Sequence, residues 1–68
     1  MTIRLNGTER ELPDGTTVAA AVALLDVSPD ARGVAVAVDR EVIPRGQWER
    51  TVLSDGANVE VVIAIQGG

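Results

Sequence analysis

The sequence predicts an α+β fold, a mixed sheet of about five strands with one helix packed on one face. Three observations carry that expectation. Polar and apolar residues alternate at the start of the chain, and one alanine-rich stretch with helical spacing lies between two hairpin patterns. The chain then closes on Val59-Glu60-Val61-Val62-Ile63-Ala64-Ile65, apolar but for one charge, as a central strand is. In the order β, β, α, β, β, β every apolar face is covered only if the first and last strands pair in the middle.

Thr2-Ile3-Arg4-Leu5 suits a half-buried strand with Ile3 and Leu5 inward. Asn6-Gly7 tolerates positive φ and is a strong hairpin signal, so Thr8 to Leu12 is expected to return antiparallel, with Thr8, Arg10 and Leu12 on one face. Pro13-Asp14-Gly15 ends the pairing, because proline cannot donate to a ladder. Thr17 is placed to cap a helix over Val18 to Asp26, whose Val18, Val22 and Leu25 form one apolar stripe broadened by Ala21. A membrane or partner-helix face is the weaker reading of its alanines, since the segment is short and has no basic flank. Val27 to Gly33, with Ser28-Pro29-Asp30 inside it, reads as a loop.

Val34-Ala35-Val36-Ala37-Val38 alternates large and small, which points the valines inward and the alanines to a flatter opposite face. Asp39-Arg40 connects it to a short strand, Glu41-Val42-Ile43, stopped by Pro44. Pro44 to Thr51 is polar and irregular except for Trp48, which is expected to pack as a lid over one end of the core. Val52 and Leu53 are expected to re-enter the core before Ser54-Asp55-Gly56 turns the chain into the last strand.

Composition excludes whole classes of chemistry. Sixty-eight residues, 46% apolar and 24% charged, make one small domain spanning residues 1–68. At that size a core supplies only about 3 to 5 kcal/mol net. With no cysteine there is no thiol catalysis, disulfide or thiolate metal site, with no histidine the commonest general base and metal ligand is missing, and all the basic residues are arginines, so no lysine forms a Schiff base. A net charge of −4 and one aromatic residue argue against nucleic acid. The apolar runs are too short to span a bilayer, and no basic segment leads into an apolar one at the start. The expectation is a cytoplasmic protein, monomeric when free, with no enzymatic activity and no bound cofactor or metal.

The remaining reactive group is the carboxylate of Gly68. Glycine lacks a Cβ, so Gly67-Gly68 can thread a channel too narrow for side chains and offer that carboxylate to another enzyme. The alternative reading is a frayed end that happens to finish in two glycines.

Val42-Ile43-Pro44-Arg45-x-x-Trp48, the Asp55-Gly56 turn and the terminal Gly67-Gly68, in this element order, resemble the ThiS sulfur carriers of thiamine biosynthesis, which are ubiquitin-like β-grasp proteins. The resemblance covers the whole chain, and Pro44-Arg45-Gly46-Gln47-Trp48 is its specific part. Gln66 departs from it, at a position often small in the family. The resemblance implies a carrier cycle. A ThiF-like adenylyltransferase, using ATP and magnesium, would adenylate Gly68. Sulfur from a cysteine desulfurase would convert it to a thiocarboxylate, and a ThiG-like thiazole synthase would receive the sulfur. A molybdopterin-synthase-type carrier, a ubiquitin-like modifier and a non-catalytic β-grasp binding module stay open as alternatives.

Docking is expected on the sheet face away from the helix. If Val59, Val61 and Ile63 face the helix, then Glu60, Val62 and Ala64 lie on the far face with Ala35 and Ala37. Together with Gln66 and Gly67 they form the expected partner-binding surface, since exposed apolar patches commonly mark such sites.

Overall fold

Thr2–Leu5 (β1) and Thr8–Glu11 (β2) form an antiparallel hairpin in the computed structural model, which describes residues 1–27 and 32–64. Ile3 and Leu5 point into the core, and every residue of β2 is exposed, as a polar edge strand should be. The strand ends at Glu11, so Leu12 lies beyond it and is half-buried. The expected loop segment Ser28-Pro29-Asp30 lies outside the described residues.

The helix α1 spans Val18–Ala23, and the Thr17 hydroxyl accepts from the Ala20 N–H at 3.2 Å. Val18, Ala21 and Val22 are buried, as the stripe predicts. It stops earlier than Asp26. Leu24, Leu25 and Asp26 donate to the carbonyls of Ala21, Val22 and Ala23, three residues back, and Asp26 turns left-handed at φ 57°. That tightened turn ends the helix while keeping Leu25 packed at the margin of the core.

Val34–Val38 (β3) and Glu41–Ile43 (β4) make the second hairpin, with β4 bounded as the sequence predicts. Both turn residues are left-handed, Asp39 at φ 51° and Arg40 at φ 71°. An L-residue with a long side chain is strained there, by about 1 kcal/mol. Arg40→Gly is therefore expected to stabilise the domain by about 0.5–1 kcal/mol. A raised urea midpoint with unchanged slope is the expected readout, and a lowered midpoint refutes the strain.

Asn58–Ile63 (β5) lies at the centre of the five-stranded sheet, whose order is β2-β1-β5-β3-β4. It runs parallel to β1 and antiparallel to β3, so the first and last strands pair in the middle as the covering argument requires. Ile3, Val18, Val36 and Val59 are the largest fully buried side chains, and no polar or charged side chain among the described residues is buried.

The segment after β4 is ordered rather than irregular. Pro44 starts a single 3-10 turn over Arg45–Gln47, and Trp48 then folds back into the core, its Nε1 donating to the Ile43 carbonyl at 2.8 Å. The Arg45 guanidinium lies 4.7 Å from the centre of the Trp48 ring, a contact worth about 0.5–1 kcal/mol at an exposed site.

Two expectations about burial fail, each for a geometric reason. Val52 is 58% exposed while Leu53 is buried. Neighbours in extended chain point opposite ways, and the bridge of Val52 to Thr17, with Leu53 N–H on the Thr16 carbonyl, sends Leu53 inward. Ile63, expected against the helix, is 48% exposed. Six helical residues reach roughly 9 Å, whereas the six residues of β5 extend roughly 20 Å. Val59 and Val61 are buried in one core cluster with Val18, Ala21 and Val22 of α1, and Ile63 lies outside that cluster.

Candidate functional site

The strand that leads to the C-terminus is held more firmly than a chain end usually is. At its start the Asp39 N–H donates to the Asn58 carbonyl (2.8 Å), and the Asn58 N–H donates back to Asp39 Oδ1 (3.0 Å). On its other side the Asn6 N–H donates to the Val59 carbonyl (2.9 Å) and the Asn6 carboxamide brackets the Val61 peptide groups. At its far end the Ala64 N–H donates to the Gly33 carbonyl at 2.7 Å. Gly33 is left-handed at φ +74°, where L side chains are strained, and a Cβ on it would come within 3.1 Å of the Ala64 Cβ, so glycine favours this close approach.

Register decides what surrounds this strand. Ala35 lies opposite Val62, and Ala37 lies between Glu60 on one side and Val42 on the other. These five residues share the sheet face turned away from α1. Val62 is 62% exposed and Val42 70%, and Ala35 and Ala64 are exposed too, while Ala37 is half-buried among its neighbours. The face is apolar only here. Toward β1 and β2 it carries Thr2, Arg4, Glu9, Glu11 and Asn58. Glu60 is the charge bordering the apolar part, its Oε1 accepting a long 3.5 Å bond from Asn58 Nδ2.

The structure thus brings Glu60, Val62 and Ala64 together with Ala35 and Ala37 as the period of two predicts. Gln66, Gly67 and Gly68 lie outside the described residues. Two residues of the site were missed from sequence. Val42, which the sequence places on a short strand and in the Val42-Ile43-Pro44 motif, extends the apolar patch with its exposed side chain, and Asn6, which the sequence places in a turn, holds Val61. Pairing Ala37 with Val42 across the Asp39-Arg40 turn was the available signal for the first. Nothing local signals the second.

The described residues hold no cluster of three or more acidic, histidine or cysteine side chains placed to bind a metal ion, and no helix among them is long and apolar enough to cross a membrane.

A mixed five-stranded sheet with its first and last strands parallel at the centre and one helix across a single face is a β-grasp, the ubiquitin-like class of fold. The solved structures agree. The crystal structure of the thiamine biosynthesis protein ThiS from Geobacter metallireducens is 27% identical, covers 100% of both chains and superposes with a TM-score of 0.78. The solution structure of a thiamine biosynthesis protein from the same organism gives the same identity and TM-score over 88% of its own chain. A thiazole synthase of Paramagnetospirillum magneticum is 35% identical over 68 residues, which is 100% of this chain and 20% of that protein. The chain therefore spans only a fifth of that curated relative's length. The ThiS family model matches residues 3–68. The chain belongs to the ThiS family.

Proposed function

We propose that this chain carries sulfur on its C-terminal glycine. A ThiF-like activating enzyme uses ATP and magnesium to couple the Gly68 carboxylate to AMP, releasing pyrophosphate. A carboxylate resists nucleophiles until one of its oxygens becomes a good leaving group, and adenylation provides that on the partner. A persulfide fed by a cysteine desulfurase then attacks the acyl carbon and displaces AMP. A second thiol cleaves the remaining S–S bond and leaves the thiocarboxylate, which a thiazole synthase consumes. The observation that carries this reading is the family match, which runs through the terminal glycine pair to residue 68. The stretch of a protein named thiazole synthase that is 35% identical to this chain supports such an enzyme as the acceptor.

The test is an intact mass after incubation with ATP, magnesium, the activating enzyme, a desulfurase and cysteine. The expected product is heavier by the exchange of one oxygen for one sulfur. A conjugate to lysine on another protein would instead identify a modifier, and an unchanged mass a binding module.

The docking surface of this reading is Glu60, Val62 and Ala64 with Ala35 and Val42, and Gln66 and Gly67 are the residues that would enter the partner's channel. Val62 is central to the exposed apolar patch and absent from the core. Val62→Arg is expected to fold normally, by circular dichroism, and to weaken binding to the activating enzyme by more than about 1 kcal/mol. Wild-type affinity by titration calorimetry would remove this face from the interface.

A further inference from the structure

The turn between β1 and β2 departs from the sheet just where β5 needs a neighbour. β1 ends at Leu5, which pairs with Val59, so no backbone of β1 reaches the β5 residues beyond it on that side. Asn6 fills the gap with its side chain. Val61 N–H donates to Asn6 Oδ1 at 2.7 Å, and Asn6 Nδ2 donates to the Val61 carbonyl at 3.2 Å. A carboxamide has one carbonyl and one amide donor, the same pair a peptide group offers, so it stands in for one more residue of β1. The left-handed conformation of Asn6, φ 50°, lets the chain turn away while the side chain stays in line with the ladder. Aspartate has the acceptor but no donor, and glycine has the conformation without either group.

We infer that Asn6 is a positioning residue for the C-terminal tail: among the described residues its carboxamide is the last hold on the β1 side of β5, and it fixes the end of the strand from which the chain runs on to Gly68. Beyond Val61, the next residue whose backbone groups point to that side is Ile63, and none of the described residues bonds to them. The β3 side is held separately, through Val62 and Ala64. With both sides held the strand has one exit direction; with one side held it pivots about the β3 ladder. The inference rests on the proposed adenylation of Gly68, because an acyl group that must enter an active site reacts faster when its approach is set in advance, and misplacement by about 1 Å costs up to ~10²-fold.

The test compares wild type, Asn6→Gly and Asn6→Asp in the full chain, with two readouts. Amide hydrogen exchange by NMR reads the clamp directly. In Asn6→Gly the Val61 amide is expected to exchange about tenfold faster or more, while those of Leu5 and Val59 stay as slow as in wild type. Asn6→Asp, which retains the acceptor, is expected to restore most of the Val61 protection. ATP-pyrophosphate exchange with the activating enzyme reads the consequence. In Asn6→Gly, kcat is expected to fall about tenfold with KM within about twofold, because the docking face is untouched and only the tail's approach is loosened. Asn6→Asp is expected to lie between. Unchanged Val61 exchange in Asn6→Gly overturns the clamp, and faster exchange with unchanged kcat overturns its role in positioning. A matching loss of protection at Leu5 and Val59 also overturns it, since Asn6 would then simply hold the hairpin. If wild type itself supports no pyrophosphate exchange, the adenylation reading fails, and the Val61 amide still decides whether the clamp exists.

Discussion

Val22→Asp is expected to leave the domain unfolded at 25 °C. Val22 is 2% exposed and lies on the face of α1 that packs against the sheet, among Ile3, Val36 and Val59. Removing a buried valine forfeits about 1.5–3 kcal/mol. A carboxylate left there finds no partner, because no polar or charged side chain among the described residues is buried. A domain of this size has only about 3–5 kcal/mol in reserve, so the two losses together exceed it. The measurement is far-UV circular dichroism with a thermal melt, and Val52→Asp is the matched control. The Val52 side chain is exposed and its bridge to Thr17 is made by the backbone, so its variant should melt within about 0.5 kcal/mol of wild type. A cooperative transition for Val22→Asp near that of wild type would mean that α1 presents another face to the sheet.

Adding one alanine after Gly68, or removing Gly68, should abolish activation without touching stability. The last buried residue of β5 is Val61, and the last described backbone bond of the strand is that of Ala64 to Gly33. The core cluster among the described residues takes nothing from β5 beyond Val61, and Gly68 carries no side chain to bury, so melting temperatures are expected to agree with wild type. Adenylation places one carboxylate oxygen against the α-phosphate of ATP, and one extra residue displaces the carboxylate by about 3.5 Å. Displacement of that size exceeds the near-contact distances on which such steps depend, so ATP-pyrophosphate exchange is expected to drop at least ~10²-fold. Equal exchange rates for wild type and the alanine-extended chain would sink Gly68 as the reacting residue.

The stretch that most specifically carries the family resemblance turns out to be structural in the residues described. Pro44 starts the 3-10 turn, Trp48 closes the end of the core and returns a hydrogen bond to Ile43, and Arg45 covers the indole. Sequence could mark it because its parts are neighbours in the chain. Val52 and Ile63 were misread for the opposite reason. Each is apolar and in a suitable segment, yet its burial depends on a partner distant in sequence: the bridge to Thr17 for one, the length of α1 for the other.

What the sequence by itself determined is therefore the order and kind of the main elements, together with the one long-range conclusion that covering forced. The strands, the alanine-rich helix and the Asn6-Gly7 turn are written in periods of two and about 3.6 and in residues that tolerate positive φ. The central pairing of β1 with β5 follows because each apolar face can be buried only once. Tertiary structure alone decided the register. Register places Val42 beside Ala37 on the open face, brings Gly33 against Ala64, and sets Asn6 on Val61 across 55 residues of chain. A side chain's face is a local property of the backbone, but the residue it meets depends on how two distant strands slide against each other, and that is settled only when the whole core packs.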